Sequence, residues 1–442
     1  MKAIVVGSGA GGATAASELA RRGFEVTILE AGHPFNPLTH RVSWLSPLRG
    51  SLLLNNEEAI EHIFPHYEVT RTSEDLVIFT GVTEGGSTSI SCGNMVRAEN
   101  GLKEIGLDLT REFEDIEQTL NIAPIPRNRW RPLSRQMFDT AEKLGFSPKP
   151  TPKVKTSANC IGCGYCELGC ITGAKWDSRR VYSDLLHKGV TLQTDHKVKK
   201  IIIENGRAKG ALVSHDLSTE HIYADVVVLS AGGVGTAQIL RASGIPPKDS
   251  LWVDVVLTVG GTSKGARMLN EPPMVWFAKR DHYILSPYFD LLSYWFHKPW
   301  KSAPTEDMVG MMIKLADTEN GTVHADGKVT KPLTDIDKKN LERAKAEAVE
   351  IMEASGVAGP FVDGMVHGGH LGGTVPLAAE DVETMHPAWL PDDLWVADLS
   401  LMPRSQGLPT MLTAAALALR VAKRIAQEKL PKNDVMKSGY PQ

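Results

Sequence analysis

This 442-residue chain has no apolar run long enough to cross a bilayer, which needs about 18 or more such residues. The nearest approach, Met411–Leu419, is short, Ala-rich and closed by Arg420. An excess of one charge is missing too: 48 Lys and Arg stand against 52 Asp and Glu, a formal net charge of −4. No basic block is long enough to follow a phosphate backbone, so nucleic acid is not an expected partner. Met1-Lys2 runs straight into the apolar Ala3–Val6, leaving no room for a secretion leader, and the chain is expected to be cytoplasmic. Cysteine is scarce, at five, yet four of the five fall at positions 160, 163, 166 and 170. In a reducing compartment such clustering reads as metal ligation rather than disulfide bonding.

What is present supports a large core: 42% of the residues are hydrophobic and 23% charged, enough for about two domains. Lys2–Val6 reads as a strand, followed by Gly7-Ser8-Gly9-Ala10-Gly11-Gly12, a helical stretch to Arg22, and a second strand, Glu25–Leu29, ending at Glu30. This is the dinucleotide-binding fingerprint in full context. Gly7 permits the tight turn, Gly9 lets a pyrophosphate approach the backbone, and Gly12 allows helix and strand to pack closely. The helix N-terminus offers N–H groups to phosphate, and Glu30 is placed to accept from ribose hydroxyls. The fingerprint does not by itself separate FAD from NAD.

Asn159–Lys175 reads NCIGCGYCELGCITGAK, a C-x2-C-x2-C-x3-C run. It matches the bacterial ferredoxin spacing except that Ile171 replaces the usual proline. Glycines at 162, 164 and 169 let the backbone curl so that Cys160, Cys163, Cys166 and Cys170 can converge on an iron–sulfur cluster, [4Fe-4S] more readily than [3Fe-4S]. Four thiolates also satisfy zinc, and free thiols are the third reading. Cys92, the remaining cysteine, reads as a small buried hydrophobe, with approach to the cluster as the functional alternative.

Three further blocks carry a resemblance: TGVTEGGSTSISCGNMVR at 80–97, VVVLSAGGVGTAQILRASGI at 226–245, and HLGGT at 370–374 with LWVADLSLMPRSQGLPTMLTAAALALRVAKRI at 394–425. With the N-terminus, these resemble the glucose–methanol–choline (GMC) oxidoreductase family, which binds FAD. The resemblance implies an α/β fold: a discontinuous, Rossmann-like FAD-binding domain with an inserted α+β substrate domain. It implies that Gly85, Gly86, Ser87 and Asn94 pass the flavin ring and diphosphate, and that the backbone of Val198 meets the adenine. It places Ala231 and Gly232 at the turn into the second family signature, Asp398 before the ribityl–diphosphate segment, and Pro409 and Thr410 at the start of a helix aimed at the cofactor.

His370 matches the family's catalytic position beside flavin N5, and a histidine suits removal of a hydroxyl proton because its ordinary pKa lies near working pH. His367 is a weaker candidate. In one respect the chain departs from the family: where His or Asn usually faces the catalytic histidine, the segment 408–413 has Leu408. Either His370 works alone, or Ser405 or Gln406 reaches in, or the reaction differs.

These readings assign residues 1–245 and 366–432 to the FAD domain, with the cysteine loop at 159–175. Residues 246–365 form the substrate domain, and 433–442 a mobile tail. Within the insert, Met308–Leu315 and Thr322–Val329 read as strands, and Thr334–Ser355 as a helix capped by Asp335. The expected activity is oxidation of a hydroxyl-bearing substrate by hydride transfer to flavin N5, electrons leaving through the cluster to an external acceptor or partner subunit. An electron-transfer flavoprotein subunit and an oxygen-using alcohol oxidase with a zinc-stapled loop remain alternatives. The aromatic stretch Tyr283–Trp300 reads as a packed wall, with membrane-surface or carrier docking as the less favoured reading. The Pro- and Arg-rich stretch 121–152 reads as a wandering connection with one helix near Ser134–Leu144.

Overall fold

The structure is a computed structural model that describes residues 1–37, 48–49, 54, 56–154 and 159–431. The tail 433–442 lies outside the described residues.

The β-branched runs Lys2–Val6, Glu25–Leu29, Val190–Gln193, Val226–Leu229 and Leu394–Val396 form one parallel sheet. Its order is Leu394–Val396, Val226–Leu229, Lys2–Val6, Glu25–Leu29, Val190–Gln193. Val226–Leu229 is wholly buried, as befits a parallel strand covered on both faces. The Ala-rich helices Ala10–Arg21 and Met411–Lys429 pack against each other beside this sheet, small side chains permitting the close approach. A Cβ on Gly12 would stand 1.9 Å from the Gly7 carbonyl oxygen, so the first helix can leave the first strand at this angle only with glycine there.

A second, antiparallel sheet has Val256–Thr262 at its centre, paired in full register with Met308–Leu315. Tyr283–Pro287, Trp276–Lys279 and Lys149–Pro150 extend it on one side; His367–Gly368, Val77–Gly81 and Tyr67–Arg71 extend it on the other. All eight residues of Met308–Leu315 are buried. Alternation sends Met311, Ile313 and Leu315 into a core shared with Leu341, Ala344, Ala348 and Ile351 of the helix Asp335–Ala354. Met312 faces the opposite side, in a cluster with Val256, Met274, Tyr288 and Leu408, and Lys314 follows Met312 on that face. The sheet therefore separates a helix layer from a cavity, and forms the cavity's roof.

Three local expectations are corrected. The helix Asp335–Ala354 is capped by Thr334, whose hydroxyl accepts from the Asp337 N–H in a capping box, and not by Asp335. The expected strand 322–329 is a small hairpin, Thr322–Val323 with Val329–Thr330, because Asp326-Gly327 turns the chain between them. The helix expected near 134–144 starts two residues earlier, at Pro132, whose fixed φ suits a first helical turn. The aromatics of 283–300 are buried, from Trp300 at 0% to Tyr288 and Phe289 at 5% exposed, so they present no docking face. Among the described residues no helix is long and apolar enough to cross a membrane.

Candidate active site

A cavity of about 840 Å³ runs between the two sheets. At one end it is lined by Glu30 and by His196, Lys197, Val198 and Lys199; it then passes Gly7–Gly11 and Ala231-Gly232, and ends among Asn94, His370, Pro409 and Thr410.

The structure brings most of the sequence-derived positions together on this cavity: Gly7, Gly9, Glu30, Gly86, Ser87, Asn94, Val198, Ala231, Gly232, Asp398, Pro409, Thr410 and His370 all line it. Gly12 and Gly85 stand behind it. Gly12 seats the helix on the strand, and Gly85, at φ +86°, donates its N–H to the Ser8 hydroxyl at 2.8 Å. Glu30 is buried and ties down the phosphate turn from beneath: one oxygen accepts from the Ser8 N–H and hydroxyl at 2.9 and 2.7 Å, the other from the Gly32 N–H at 2.9 Å. Burial raises its pKa against those bonds. Asp398 works in the same way on another turn, accepting from the Gly232 N–H and the Thr236 hydroxyl at 2.9 and 2.7 Å.

At the other end, His370 Nδ1 meets Asp254 Oδ2 at 3.2 Å. The imidazole side chain is a third accessible because the cavity opens onto it. Asp254 is fully buried, and its second oxygen accepts from the Ser405 hydroxyl and from the Gln406 and Gly407 N–H groups, each at 2.8 Å. Burial would raise this carboxyl, but Lys314 and the bonds from His370 and Gly407 outweigh it, and its pKa is lowered. Burial holds the His370 ring below the ordinary value, helped by the Lys314 charge and opposed by Asp254. A neutral imidazole fixed at Nδ1 and open to a cavity can accept a proton. His367, the weaker candidate, also lines the cavity, 3.8 Å from Asp290.

Leu408 contributes no polar side chain: it is buried in the apolar wall, although its backbone bonds to His370. Ser405 and Gln406 do not reach the cavity, because both are spent on holding Asp254 and the Asn100 backbone. Asp254 and Lys314, which sequence reasoning did not single out, are charged residues that act on His370. The signal available was Lys314 within the otherwise apolar MVGMMIKL, a lysine in a fully buried strand.

The cysteine loop lies against the same cavity. Glu167, between Cys166 and Cys170, lines it with Cys92 and Tyr288. The Tyr288 hydroxyl donates to Glu167, the Cys92 thiol lies 3.8 Å from the same carboxyl oxygen, and burial raises the Glu167 pKa to about 7. All five cysteines are unbridged thiols. Among the described residues no three His, Cys, Asp or Glu side chains converge to hold a metal ion, so the convergence of Cys160, Cys163, Cys166 and Cys170 expected from their spacing is not displayed. What is displayed is a tight loop, with Gly162, Gly164, Gly169 and Gly173 all at positive φ, whose thiols feel one another's charge. Cys170 is held below the ordinary thiol range: burial raises it, but bonds from Thr172 and the Lys175 and Ala174 N–H groups prevail.

Beside these thiols lie two buried lysines. Lys175 Nζ donates to the carbonyls of Thr88, Ser89 and Ser91 at 2.7–3.0 Å, and Lys153 Nζ to the Cys92 carbonyl at 3.1 Å and to Asn94. Among the described residues neither ammonium meets a carboxylate within 4.0 Å.

A family model described as GMC oxidoreductase matches residues 1–260, and the chain belongs to the GMC oxidoreductase family. An uncharacterized GMC-type oxidoreductase of Mycobacterium tuberculosis is 30% identical over 263 residues, 55% of this chain and 39% of that protein. The chain thus matches well under half the length of that relative. An uncharacterized protein of Methanocaldococcus jannaschii is 25% identical over 425 residues, 95% of this chain and 98% of its own. A long-chain-alcohol oxidase of Arabidopsis thaliana is 21% identical over 522 aligned positions, 96% of this chain and 67% of the oxidase. Pyridoxine 4-oxidase from Mesorbium loti shares the fold at a TM-score of 0.73 and 14% identity, covering 96% of this chain and 99% of that one.

FAD is the cofactor of this class, and the cavity fits it. A Cβ on Gly9 would meet nothing within 4 Å, so the phosphate turn stands open to the cavity. The helix Ala10–Arg21 begins there without a side-chain cap, leaving its first N–H groups for a diphosphate. The helix Met411–Lys429 likewise starts uncapped beside Thr410, near His370.

Proposed function

We propose that this chain oxidises a small hydroxyl-bearing molecule, with His370 as the base, and passes the electrons to an external acceptor through an iron–sulfur cluster on Cys160, Cys163, Cys166 and Cys170. Gly7–Gly12 and Val198 would hold FAD, which would supply the hydride acceptor. Asp254 positions His370: its carboxylate accepts the Nδ1–H hydrogen bond, so the other ring nitrogen is the one that accepts a proton from the substrate hydroxyl. The buried wall of Val256, Met274, Tyr288 and Met312 excludes water and suits an apolar substrate body, in keeping with the alcohol-oxidising relative named above.

One observation carries the electron-exit part. The cysteine loop reaches from the cavity, through Glu167, to solvent, where Ile161 and Ile171 are 64% and 56% exposed. A cluster held there by Cys160, Cys163, Cys166 and Cys170 would supply one-electron transfer. Lys153 and Lys175, cations with no described carboxylate partner, suit a site that carries net negative charge when filled.

The test is anaerobic flavin bleaching by a panel of primary alcohols in wild type and His370→Gln. The wild type is expected to bleach, and the variant to keep FAD while losing about 10²–10⁴ in rate. Equal bleaching in both would refute the base assignment.

A further inference from the structure

Leu408 brings no polar group to the cavity beside His370, but the roof does. Lys314 lines the cavity, faces the same side of the strand Met308–Leu315 as Met312, and is 4% exposed. Its Nζ stands 3.8 Å from Asp254 Oδ2, the same oxygen that His370 Nδ1 meets at 3.2 Å. The imidazole and the ammonium are therefore gathered around one carboxyl oxygen, on one wall.

A purely structural role is the competing account: Lys314 would only neutralise Asp254. The neighbouring pair shows what such a counter-ion looks like here. Lys331 Nζ contacts Asp317 Oδ2 at 3.0 Å, also donates to the Thr318 carbonyl at 2.6 Å and to Asn320 at 2.7 Å, and is spent. Lys314 holds Asp254 only at 3.8 Å and the Asp254 carbonyl only at 3.5 Å, both too long for good hydrogen bonds. Asp254 is already supplied by His370, Ser405 and the Gln406 and Gly407 N–H groups, and does not need the ammonium as a donor. Burial lowers the Lys314 pKa against the pull of Asp254 and Asp317, and an acceptor in the cavity would offset the cost of keeping this buried ammonium charged.

We infer that Lys314 is a second catalytic residue, donating a hydrogen bond to the substrate oxygen from which His370 takes the proton. This rests on the alcohol-oxidising reading above. As the O–H proton passes to His370, the oxygen's electron pair forms the C=O bond and the hydride leaves carbon for the flavin; Lys314 remains an ammonium throughout. It stabilises the negative charge that builds on oxygen, which a histidine that has not yet taken the proton cannot do. The substrate class follows: alcohols with one reacting oxygen and an apolar body, since the rest of this wall is Val256, Met274, Met312 and Tyr288. Lys314 also favours neutral His370, and so keeps the base ready.

The experiment uses the full-length, FAD-loaded chain as wild type, Lys314→Met, Lys314→Ala and Lys314→Arg, with two probes. Sulfite, an anion that reports positive charge at the reacting position, is titrated against the flavin absorbance. Lys314→Met is expected to raise its Kd at least tenfold and Lys314→Arg to restore most of it. With 1-octanol and benzyl alcohol, Lys314→Ala is expected to slow anaerobic bleaching by roughly 10²–10³, and methylammonium to rescue it in a saturable way. Unchanged sulfite Kd values, or bleaching at the wild-type rate in Lys314→Met, would overturn the inference. If no alcohol bleaches the wild type, the alcohol reading falls, and the sulfite titration alone decides whether the ammonium addresses the reacting position.

Discussion

Asp254 shows how much a single residue can decide. It adopts φ +51°, a backbone conformation that non-glycine residues seldom take, and it is fully buried with four donors around its carboxylate. Asp254→Asn keeps the size but loses the charge that favours one ring orientation of His370. The expected outcome is anaerobic flavin reduction slowed by about 10–10², with FAD retained. The pH profile adds a sign. Because the His370 pKa lies below the ordinary histidine value, the base is neutral at pH 7, and the reduction rate falls only as pH drops through that lowered value. Asp254 pulls this pKa up, so Asp254→Asn should move the acid limb further down. An acid limb at or above the ordinary histidine range in the wild type would contradict this. That His370 lines the cavity was legible in the sequence, where it sits among glycines in a stretch resembling a family segment. Lys314 stands out in MVGMMIKL as a lysine in an apolar run, but that it faces the cavity is settled by cross-strand register with Val256, and Asp254, just before that strand, carries no local signal.

Among the elements, the phosphate turn separates folding from binding within one motif. A methyl on Gly9 meets only cavity, whereas a methyl on Gly12 collides with the Gly7 carbonyl. Gly9→Ala should fold with an unchanged apo-protein melting temperature yet fail to retain FAD. Gly12→Ala should lower apo-protein stability by about 1–3 kcal/mol, as overpacking does. A Gly9→Ala protein that copurifies with a full complement of FAD would contradict the placement of the diphosphate. The turn was legible because strand, glycines and helix are local signals. The Asp326-Gly327 hairpin and the Thr334 cap were misjudged by a few residues, where neighbouring turn formers compete. The antiparallel sheet was less legible still: it recruits Tyr67–Arg71, Val77–Gly81 and Lys149–Pro150 through pairings far apart in the chain, which no periodicity announces.

For the molecule as a whole, the proposal makes one continuous route: hydroxyl carbon, flavin, cysteine loop, surface. The two ends are separable. Cys163→Ser should remove iron and slow reduction of an external one-electron acceptor such as ferricenium, while anaerobic bleaching by substrate stays near the wild-type rate. Lys175→Met should lower the cluster's reduction potential, because a buried positive charge favours the more negative, reduced state, and a potentiometric titration would show it. The C-x2-C-x2-C-x3-C spacing suggests such a route, but the convergence of thiols it implied is not displayed; that the loop meets the cavity through Glu167 depended on the fold.

The central claim is tested most directly by composition and colour. Protein purified without oxygen is assayed for flavin, iron and acid-labile sulfide, and its absorbance is recorded before and after dithionite. The account predicts one FAD per chain, about four iron and four sulfide, and a broad band near 400 nm beneath the flavin peaks that bleaches on reduction. A clean two-peak flavin spectrum with no iron, from protein that still bleaches with alcohol, would contradict it.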